Sequence, residues 1–195
     1  MPDLKIKLVV VDASPLITLA AADALDYLLL FELPVILPDA VFHEATSSTG
    51  KLGASDILDW SRLHTDLVSV LPTQAFTDDL LLRDLAGRRP SRNIGERAAV
   101  EIVRSTDLIA PGEVAVLLSD DRDINRLMAG GAETTLVIST RTFLTTLEAA
   151  QRIQSADEVK QRALARGRNL PPRDPFADTL PEAKEILLKI LGRKP

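Results

Sequence analysis

Short apolar runs recur along this chain of 195 residues, and segments with helical patterns separate them. The first run, Lys5–Val11, is rich in β-branched residues, contains neither glycine nor proline, and is followed by Asp12. Such a run is typical of a strand buried on both faces of a parallel sheet. Four further strands are predicted, at Val35–Leu37, Leu67–Leu71, Val114–Leu118 and Thr135–Ile138. Because helices are predicted between the strands, we expect a three-layer α/β/α fold around a central parallel sheet.

Every predicted strand is followed by a predicted helix. The helices are expected at Leu16–Leu30 (in one or two pieces), Asp39–Glu44, Ser55–Leu63, Phe76–Leu85, Ile94–Ser105, Asp123–Ala129 and Thr140–Ile153. In the fourth of these helices, Leu80, Leu81 and Leu85 are predicted to face the core.

The helical pattern continues beyond the last predicted strand and divides the chain into two parts. Residues 1–150 are predicted to form the α/β domain, and residues 151–195 a helical extension that contains prolines. Within the extension we expect a helix over residues 154–168, a linker with four prolines over 169–181, and a short amphipathic helix over 181–191.

The composition excludes several kinds of site and location. The chain has no cysteine, which rules out disulfides and thiolate chemistry and fits a reducing cytoplasm. No apolar stretch reaches the roughly 18 residues that a membrane-spanning helix needs. Because Asp12 ends the N-terminal apolar run, we interpret that run as a buried strand rather than a signal peptide. We therefore expect a cytoplasmic protein that does not bind a membrane.

The net charge of −5 is unevenly distributed. Residues 1–150 hold 13 Lys and Arg against 22 Asp and Glu, a charge of −9, whereas residues 151–195 hold 10 against 6, a charge of +4. An acidic body is not typical of a general nucleic-acid-binding protein, so RNA contacts would depend on local basic patches and bound metal. The basic extension is predicted either to contact phosphate or an acidic partner, or to be a solvated helical surface.

Acidic residues stand at the ends of the apolar runs and in the helices that follow them. They are Asp12, Glu44, Glu96, Asp120 and Asp121. In open parallel sheets, ligand sites form beyond the carboxyl ends of the strands. Carboxylates that converge there cannot all stay ionised without a counter-charge, which is commonly a divalent cation. Because hard oxygen ligands suit Mg²⁺ or Mn²⁺ better than zinc, the pattern favours a metal-dependent phosphodiesterase.

Each of these carboxylates also has an ordinary structural explanation. Asp12 suits the N-cap of the next helix, Glu44 a solvated helix surface, and Glu96 a favourable interaction with a helix dipole. Asp120 and Asp121 are adjacent and project in different directions, so only one of them is expected to face the site.

Four segments together resemble the PIN-domain family, and in particular its toxin-like, VapC-type nucleases. They are VVVDASPLITLA, LPDAVFHEA, NIGERAAVEI and LLSDDRDINRL, and the resemblance extends over roughly residues 6–147. The resemblance implies acidic residues that hold one or two Mg²⁺ or Mn²⁺ ions in an endoribonuclease. It also implies a homodimer and a cognate antitoxin protein that blocks the site.

The resemblance assigns positions to the individual carboxylates. It makes Asp12 the first-strand carboxylate and Glu44 the glutamate of the second motif. Glu96 takes the third acidic position, which is more often Asp in the toxin branch, and Asp120 or Asp121 takes the fourth.

Two serines are expected to support these carboxylates. Ser119 stands where the family often has Ser or Thr, and it is predicted to help organise the site. Ser14 is predicted to hold Asp12 or a metal-bound water, or to cap the helix with its hydroxyl group. Because Ser14 has no plausible histidine partner, a serine hydrolase is disfavoured. The two histidines, His43 and His64, do not form a metal-ligand pattern.

Arginines near the acidic residues are candidates for contact with RNA phosphates. They are Arg88, Arg89, Arg92 and Arg122. The first three precede Glu96 in a polar loop, and the alternative is that this loop is simply a solvated surface.

Other families with an early Asp after an apolar strand fit less well. A haloacid-dehalogenase-like phosphatase needs a second Asp where this chain has Ser14, and a receiver domain needs an early acidic pair. A P-loop or dinucleotide-binding protein needs a glycine-rich turn where this chain has DASPL. The remaining alternative is a catalytically inactive PIN-fold module that binds RNA or protein.

Overall fold

The central sheet of the protein is built from parallel strands. A computed structural model describes residues 5–128, 135–168 and 180–192. The strands in these residues are β1 (Lys5–Val11), β2 (Val35–Pro38), β3 (Val68–Leu71), β4 (Glu113–Leu118) and β5 (Thr135–Ile138). Their order in the sheet is β3-β2-β1-β4-β5, and every neighbouring pair is parallel. The predicted parallel sheet is confirmed, with β1 at its centre.

Helices follow each strand. Within the described residues they are α1 (Ala13–Ala21), a 3-10 helix (Leu25–Phe31), α2 (Asp39–Thr46), α3 (Ala54–Leu63), α4 (Gln74–Ala86), α5 (Ile94–Val103), α6 (Asp123–Met128), α7 (Thr140–Ala149), α8 (Ala156–Ala165) and α9 (Leu180–Gly192). No single one of these described helices is long and apolar enough to cross a membrane. Helix α1 and the 3-10 helix reach that length and composition only together, and they are bent by 116° at the break between them.

The sheet is covered on both faces, which explains why β1 is apolar along its length. Val9 and Val11 pack into one cluster with α1 and α7. Leu8 and Val10 point to the opposite face and pack into a second cluster with α5 and α6. Because successive side chains of a strand alternate between faces, both sets must be apolar when both faces are buried. The three-layer α/β/α fold is confirmed.

The carboxyl ends of the central strands lie side by side. Val11 pairs with Leu118 in the register of β1 and β4. The Asp12 N–H continues this ladder and donates to the Leu118 carbonyl at 2.9 Å. The Ser119 N–H donates in turn to the Ile138 carbonyl of β5 at 3.0 Å. The residues that follow β1 and β4 are therefore neighbours at one edge of the sheet.

The helices of the C-terminal extension pack onto the body of the protein. Val159 and Ala163 of α8, and Leu187 and Leu191 of α9, are buried in the same cluster as α1 and α7. The apolar face of α9 is therefore covered by its own chain. The predicted linker, residues 169–181, lies outside the described residues except for its last two, which begin α9.

The predicted core face of α4 is wrong. Leu80, Leu81 and Leu85 are 39%, 52% and 84% exposed, respectively. The buried residues of this helix are instead Phe76, which packs in a small cluster with residues of α2 and α5, and Asp79. A carboxylate occupies the buried side because it pairs with an arginine one turn later in α4 and accepts a backbone N–H from the next loop. These partners are not evident from a hydropathy pattern.

Candidate active site

The Asp12 carboxylate is a buried acidic group at the carboxyl edge of the sheet. Its residue is 3% exposed and is the N-cap of α1. One carboxylate oxygen, Oδ1, accepts the Ala13 N–H at 2.8 Å, and Oδ2 accepts the Ser119 hydroxyl at 2.8 Å. The pKa of Asp12 is raised from 3.8 to about 6, mainly by burial; the charges of Glu44 and Asp120 contribute to the rise, whereas the two hydrogen bonds oppose it. The Asp12 side chain therefore caps α1 and is also available to the candidate site.

Gly95, at the start of α5, lies next to the carboxylates of both Glu44 and Asp12. A Cβ atom placed on Gly95 would lie 3.6 Å from Glu44 Oε2 and 3.7 Å from Asp12 Oδ1. Glu44 is exposed on α2, whereas Gly95 is buried. Since Gly95 carries no side chain, the α5 backbone approaches both carboxylates closely.

Glu96 lies in the first turn of α5 and is half-buried. Burial is the main reason why the pKa of Glu96 rises to about 7. The charge of Asp12, together with a hydrogen-bond contact and the charge of Asp121, contributes to this rise, whereas a hydrogen bond from the Glu96 backbone N–H opposes it. Glu96 therefore lies close enough to Asp12 and Asp121 for their charges to interact.

The adjacent aspartates after β4 point toward different partners. Asp120 accepts the Thr140 N–H on Oδ1 at 2.9 Å and the Thr140 hydroxyl on Oδ2 at 2.7 Å. Asp121 accepts the Asp123 N–H at the start of α6 on Oδ1, at 2.7 Å, and contacts Glu96. Both aspartates therefore border the acidic group, each from its own direction.

The two predicted supporting serines contact different carboxylates. Ser119 is completely buried, donates its hydroxyl hydrogen to Asp12, and accepts the Asp121 N–H at 3.2 Å. The Ser14 hydroxyl donates to Asp120 Oδ2 at 3.3 Å rather than to Asp12. The predicted contact of Ser14 with Asp12 is thus replaced by one with Asp120, because Ser14 lies in the first turn of α1, beyond the cap.

A family model described as a PIN domain matches residues 8–123. The chain belongs to the PIN-domain family. The match runs from β1 to the start of α6 and contains all five predicted site carboxylates. No curated protein and no solved structure gives a significant match. PIN domains are nuclease-type folds and typically use divalent metals.

The donor chemistry of this PIN domain fits a hard divalent cation. In the described part of the chain, no three carboxylate or histidine residues lie close enough together to hold one cation as they are placed. The charged donors at the edge are nevertheless all carboxylate oxygens, and the pKa values of Asp12 and Glu96 are raised mainly by burial and further by the charges of neighbouring carboxylates. His43 packs on Phe76, with ring centroids 5.3 Å apart, and lines the same cavity as Glu44 and Glu96. His64 packs on Trp60, with ring centroids 5.9 Å apart.

The predicted RNA-binding arginines of the PIN domain are exposed, and among the described residues they form no ion pair with the acidic group. The side chains concerned are Arg88, Arg89, Arg92 and Arg122. The loop that carries the first three borders a cavity of about 400 Å³, through Ser91 and Asn93. Glu44 and Glu96 line the same cavity. The loop is therefore beside the acidic edge, although none of these four arginines lines the cavity.

Two residues that sequence reasoning missed contact the predicted set. Thr140 binds Asp120 with both its N–H and its hydroxyl group. Arg168 donates from Nη2 to the Ser14 hydroxyl at 2.7 Å. Thr140 could have been found, because it starts the helix after the predicted strand β5 at the same sheet edge. Arg168 has no comparable signal, because it is 154 residues from Ser14 and lies in no recognised motif.

Proposed function

We propose that this PIN domain is an Mg²⁺- or Mn²⁺-dependent endoribonuclease and the toxin of a toxin–antitoxin pair. The observation that carries the proposal is the buried Asp12 carboxylate, held in place by Ser119 and adjoined by Glu44 and Glu96. Among the ion pairs between described residues, none includes any of the five acidic residues of the group. A buried carboxylate without a paired cation is costly, and a bound divalent cation would supply the missing charge.

Each residue of the group has a role in this proposal. Asp12, Glu96, and one or both of Asp120 and Asp121 would hold the cation, with Glu44 beside them. Ser119 orients Asp12 and Asp121, whereas Ser14 and Thr140 orient Asp120. When bound, the divalent cation supplies an activated water for in-line attack on phosphorus and neutralises charge at the leaving oxygen.

Cleavage of a labelled single-stranded RNA tests the activity. Cuts are expected with Mn²⁺ or Mg²⁺ but not with excess EDTA. The products should lack 2′,3′-cyclic phosphates, because water rather than the ribose 2′-hydroxyl attacks phosphorus. If the protein neither cuts RNA nor binds Mn²⁺ at millimolar concentration in a calorimetric titration, the catalytically inactive module is the better interpretation.

We also propose that the protein forms a homodimer and binds a cognate antitoxin. The exposed leucines of α4, such as Leu81 and Leu85, support an interface between two copies. The terminal helix α9 is less suited to that role, because Leu187 and Leu191 are buried against its own chain. Sedimentation equilibrium should give twice the chain mass of 21.2 kDa, and a monomer at micromolar concentration would contradict the dimer. Co-purification with the product of the neighbouring gene tests the antitoxin.

An alanine at Gly95 is expected to separate stability from metal binding. The new methyl group would make only ordinary van der Waals contacts, the nearest being 3.4 Å from Val41 Cγ2, so the fold should accept it. Helix α5 should gain roughly 0.5–1 kcal/mol, because alanine loses less backbone entropy than glycine. The methyl group would also lie 3.6 Å from Glu44 Oε2 and 3.7 Å from Asp12 Oδ1, where it should weaken Mn²⁺ binding by roughly tenfold.

Calorimetric titration with Mn²⁺ and urea unfolding measure the two effects of Gly95→Ala. Gly50→Ala is the matched control, because Gly50 lies in an exposed loop and its added methyl group would meet only the Ser48 hydroxyl at 3.7 Å. Unchanged Mn²⁺ affinity in Gly95→Ala would show that the cation does not bind beside Asp12 and Glu44.

A further inference from the structure

The C-terminal extension turns back toward the acidic edge at the end of α8. Gly167 has a φ of +87°, a left-handed conformation that glycine adopts readily. Its N–H donates to the Leu164 carbonyl at 2.9 Å, and the Arg168 N–H donates to the Ala163 carbonyl at 3.0 Å. These two bonds form a Schellman motif, which ends the helix and fixes the direction of the chain that follows. The backbone of Arg168 is therefore placed by local structure.

The side chain of Arg168 lies along the first turns of α1. Its Nε donates to Thr18 Oγ1 at 3.0 Å, and its Nη2 donates to the Ser14 carbonyl at 3.1 Å and to the Ser14 hydroxyl at 2.7 Å. The same Ser14 hydroxyl donates to Asp120, and Thr18 is almost completely buried. The guanidinium group is thus held in one position, one hydroxyl group away from a carboxylate of the proposed site.

The Arg168 guanidinium group forms no ion pair with the described residues. Burial lowers the pKa of Arg168, whereas the charges of Asp120 and Glu44 raise it, and an arginine stays protonated under such conditions. No ion pair between described residues includes Arg168, so its charge lies in the field of the carboxylates without direct contact. Its three hydrogen bonds use Nε and Nη2, and within the described part of the chain Nη1 has no partner.

We propose that Arg168 binds a phosphate of the RNA strand beside the carboxylates, so that the C-terminal extension completes the substrate site. This inference rests on the proposed ribonuclease function. An RNA strand must approach an acidic edge on a body with a charge of −9, and it needs a cation that is fixed close to that edge. A guanidinium group presents parallel N–H donors that match phosphate oxygens, and here Nη1 remains available for them.

The salt dependence of RNA binding distinguishes a phosphate contact from other roles of Arg168. Binding of a fluorescein-labelled single-stranded RNA of about 12 nucleotides is measured by anisotropy at several KCl concentrations, with Ca²⁺ as the divalent ion. Each phosphate contact contributes about 0.7 to the slope of log Kd against log salt for single strands. Arg168→Gln should lower that slope by about 0.7 and weaken binding roughly tenfold.

Two further variants make the result specific. Arg168→Lys keeps the charge and should retain the wild-type slope, with a few-fold loss of affinity because the planar fork is gone. Arg166→Gln is the matched control, because Arg166 is exposed and forms only a 3.9 Å ion pair with Asp56. Its slope and affinity should equal those of the wild type.

The possible failures are distinguishable. If the wild type binds no RNA, the proposed function fails, and the inference about Arg168 fails with it. If the wild type binds RNA and Arg168→Gln has the same slope, the phosphate contact is wrong and the proposed function stands. Tighter Mn²⁺ binding by Arg168→Gln with an unchanged slope would make Arg168 a counter-charge and overturn the inference. If Arg168→Gln does not fold, the test uses Arg168→Lys instead. A slope of log Kd against log salt that is lower by about 0.7 in this variant, despite the retained charge, would also overturn the inference.

Discussion

Replacement of Asp12 by asparagine should stabilise the metal-free protein at pH 8 by about 3 kcal/mol and lower its RNA cleavage at least 100-fold. The stability change follows from the buried carboxylate, whose pKa is raised from 3.8 to about 6. Above pH 6 the folded wild type holds an ionised group that burial disfavours, and below about pH 4 the group is protonated in both states. The wild type should therefore lose stability as the pH rises from 4 to 6, whereas the variant has no group there to ionise.

The activity change follows from the same group. An asparagine can still accept the Ala13 N–H, and its amide can donate to the Ser119 hydroxyl, so the fold should survive. It has no negative charge to hold a cation, and loss even of residues behind the metal ligands commonly reduces affinity or activity 10- to 100-fold. Mn²⁺ should accordingly raise the stability of the wild type but not that of Asp12→Asn.

Urea unfolding at pH 5 and pH 8, in EDTA and in Mn²⁺, measures the effect. Asp39→Asn is the matched control, because Asp39 also follows a strand of the sheet, but each of its oxygens accepts a backbone N–H, from Ala40 at 2.8 Å and from Thr73 at 3.1 Å. In Asp12 only one oxygen accepts a backbone N–H. An amide cannot accept both of the Asp39 bonds, so Asp39→Asn should lose about 1–3 kcal/mol at both pH values. If Asp12→Asn is less stable than the wild type at pH 8 in EDTA, burial of the ionised Asp12 carboxylate does not destabilise the folded protein.

Replacement of Glu96 by glutamine should also reduce cleavage about 100-fold or more, without unfolding the protein. Glu96 is half-buried and lies between the charges of Asp12 and Asp121, which with burial raise its pKa to about 7. A proton and a divalent cation therefore compete for Glu96 near neutral pH. At limiting Mn²⁺, cleavage by the wild type should increase from pH 6 to pH 8, and saturating Mn²⁺ should shift this increase to lower pH.

The same helix offers a control for Glu96. Glu101 also lies on α5, but its carboxylate accepts the N–H groups of Gln74 and Ala75 at the start of α4, at 2.6 and 2.9 Å. Glu101→Gln should therefore lose about 1 kcal/mol of stability and keep wild-type cleavage. Equal activities of Glu96→Gln and wild type, measured on the same RNA, would remove Glu96 from the proposed site.

The sheet and the positions of the strand-end carboxylates could be predicted from the sequence because they depend on local patterns. The apolar run of β1 requires two buried faces, and a parallel sheet places the residue after each strand at one edge. This is sufficient to bring Asp12 next to the residues that follow β4. The placement of Glu44 and Glu96 near that edge also follows, since each lies on a helix that packs against the sheet or its neighbours.

Features that depend on long-range partners could not be predicted in this way. The leucines of α4 have a core-like spacing, but the buried side of that helix is defined by Phe76 and by the pair of Asp79 and Arg83. Arg168 reaches Ser14 only because α8 packs on α1 and a Schellman motif redirects the chain. Neither result is encoded in a period or a motif, because each depends on which surfaces meet in the folded protein.

We propose that the carboxylates at the edge of the sheet hold a divalent cation for RNA hydrolysis, and this is the claim on which the other predictions depend. It is tested most directly by the rate of cleavage of one labelled RNA by the wild type and by Asp12→Asn, each prepared identically and assayed in Mn²⁺. We predict cleavage by the wild type that EDTA abolishes, and a rate for folded Asp12→Asn that is at least about 100-fold lower. Equal cleavage by the two proteins, or wild-type cleavage that persists in EDTA, would contradict the claim.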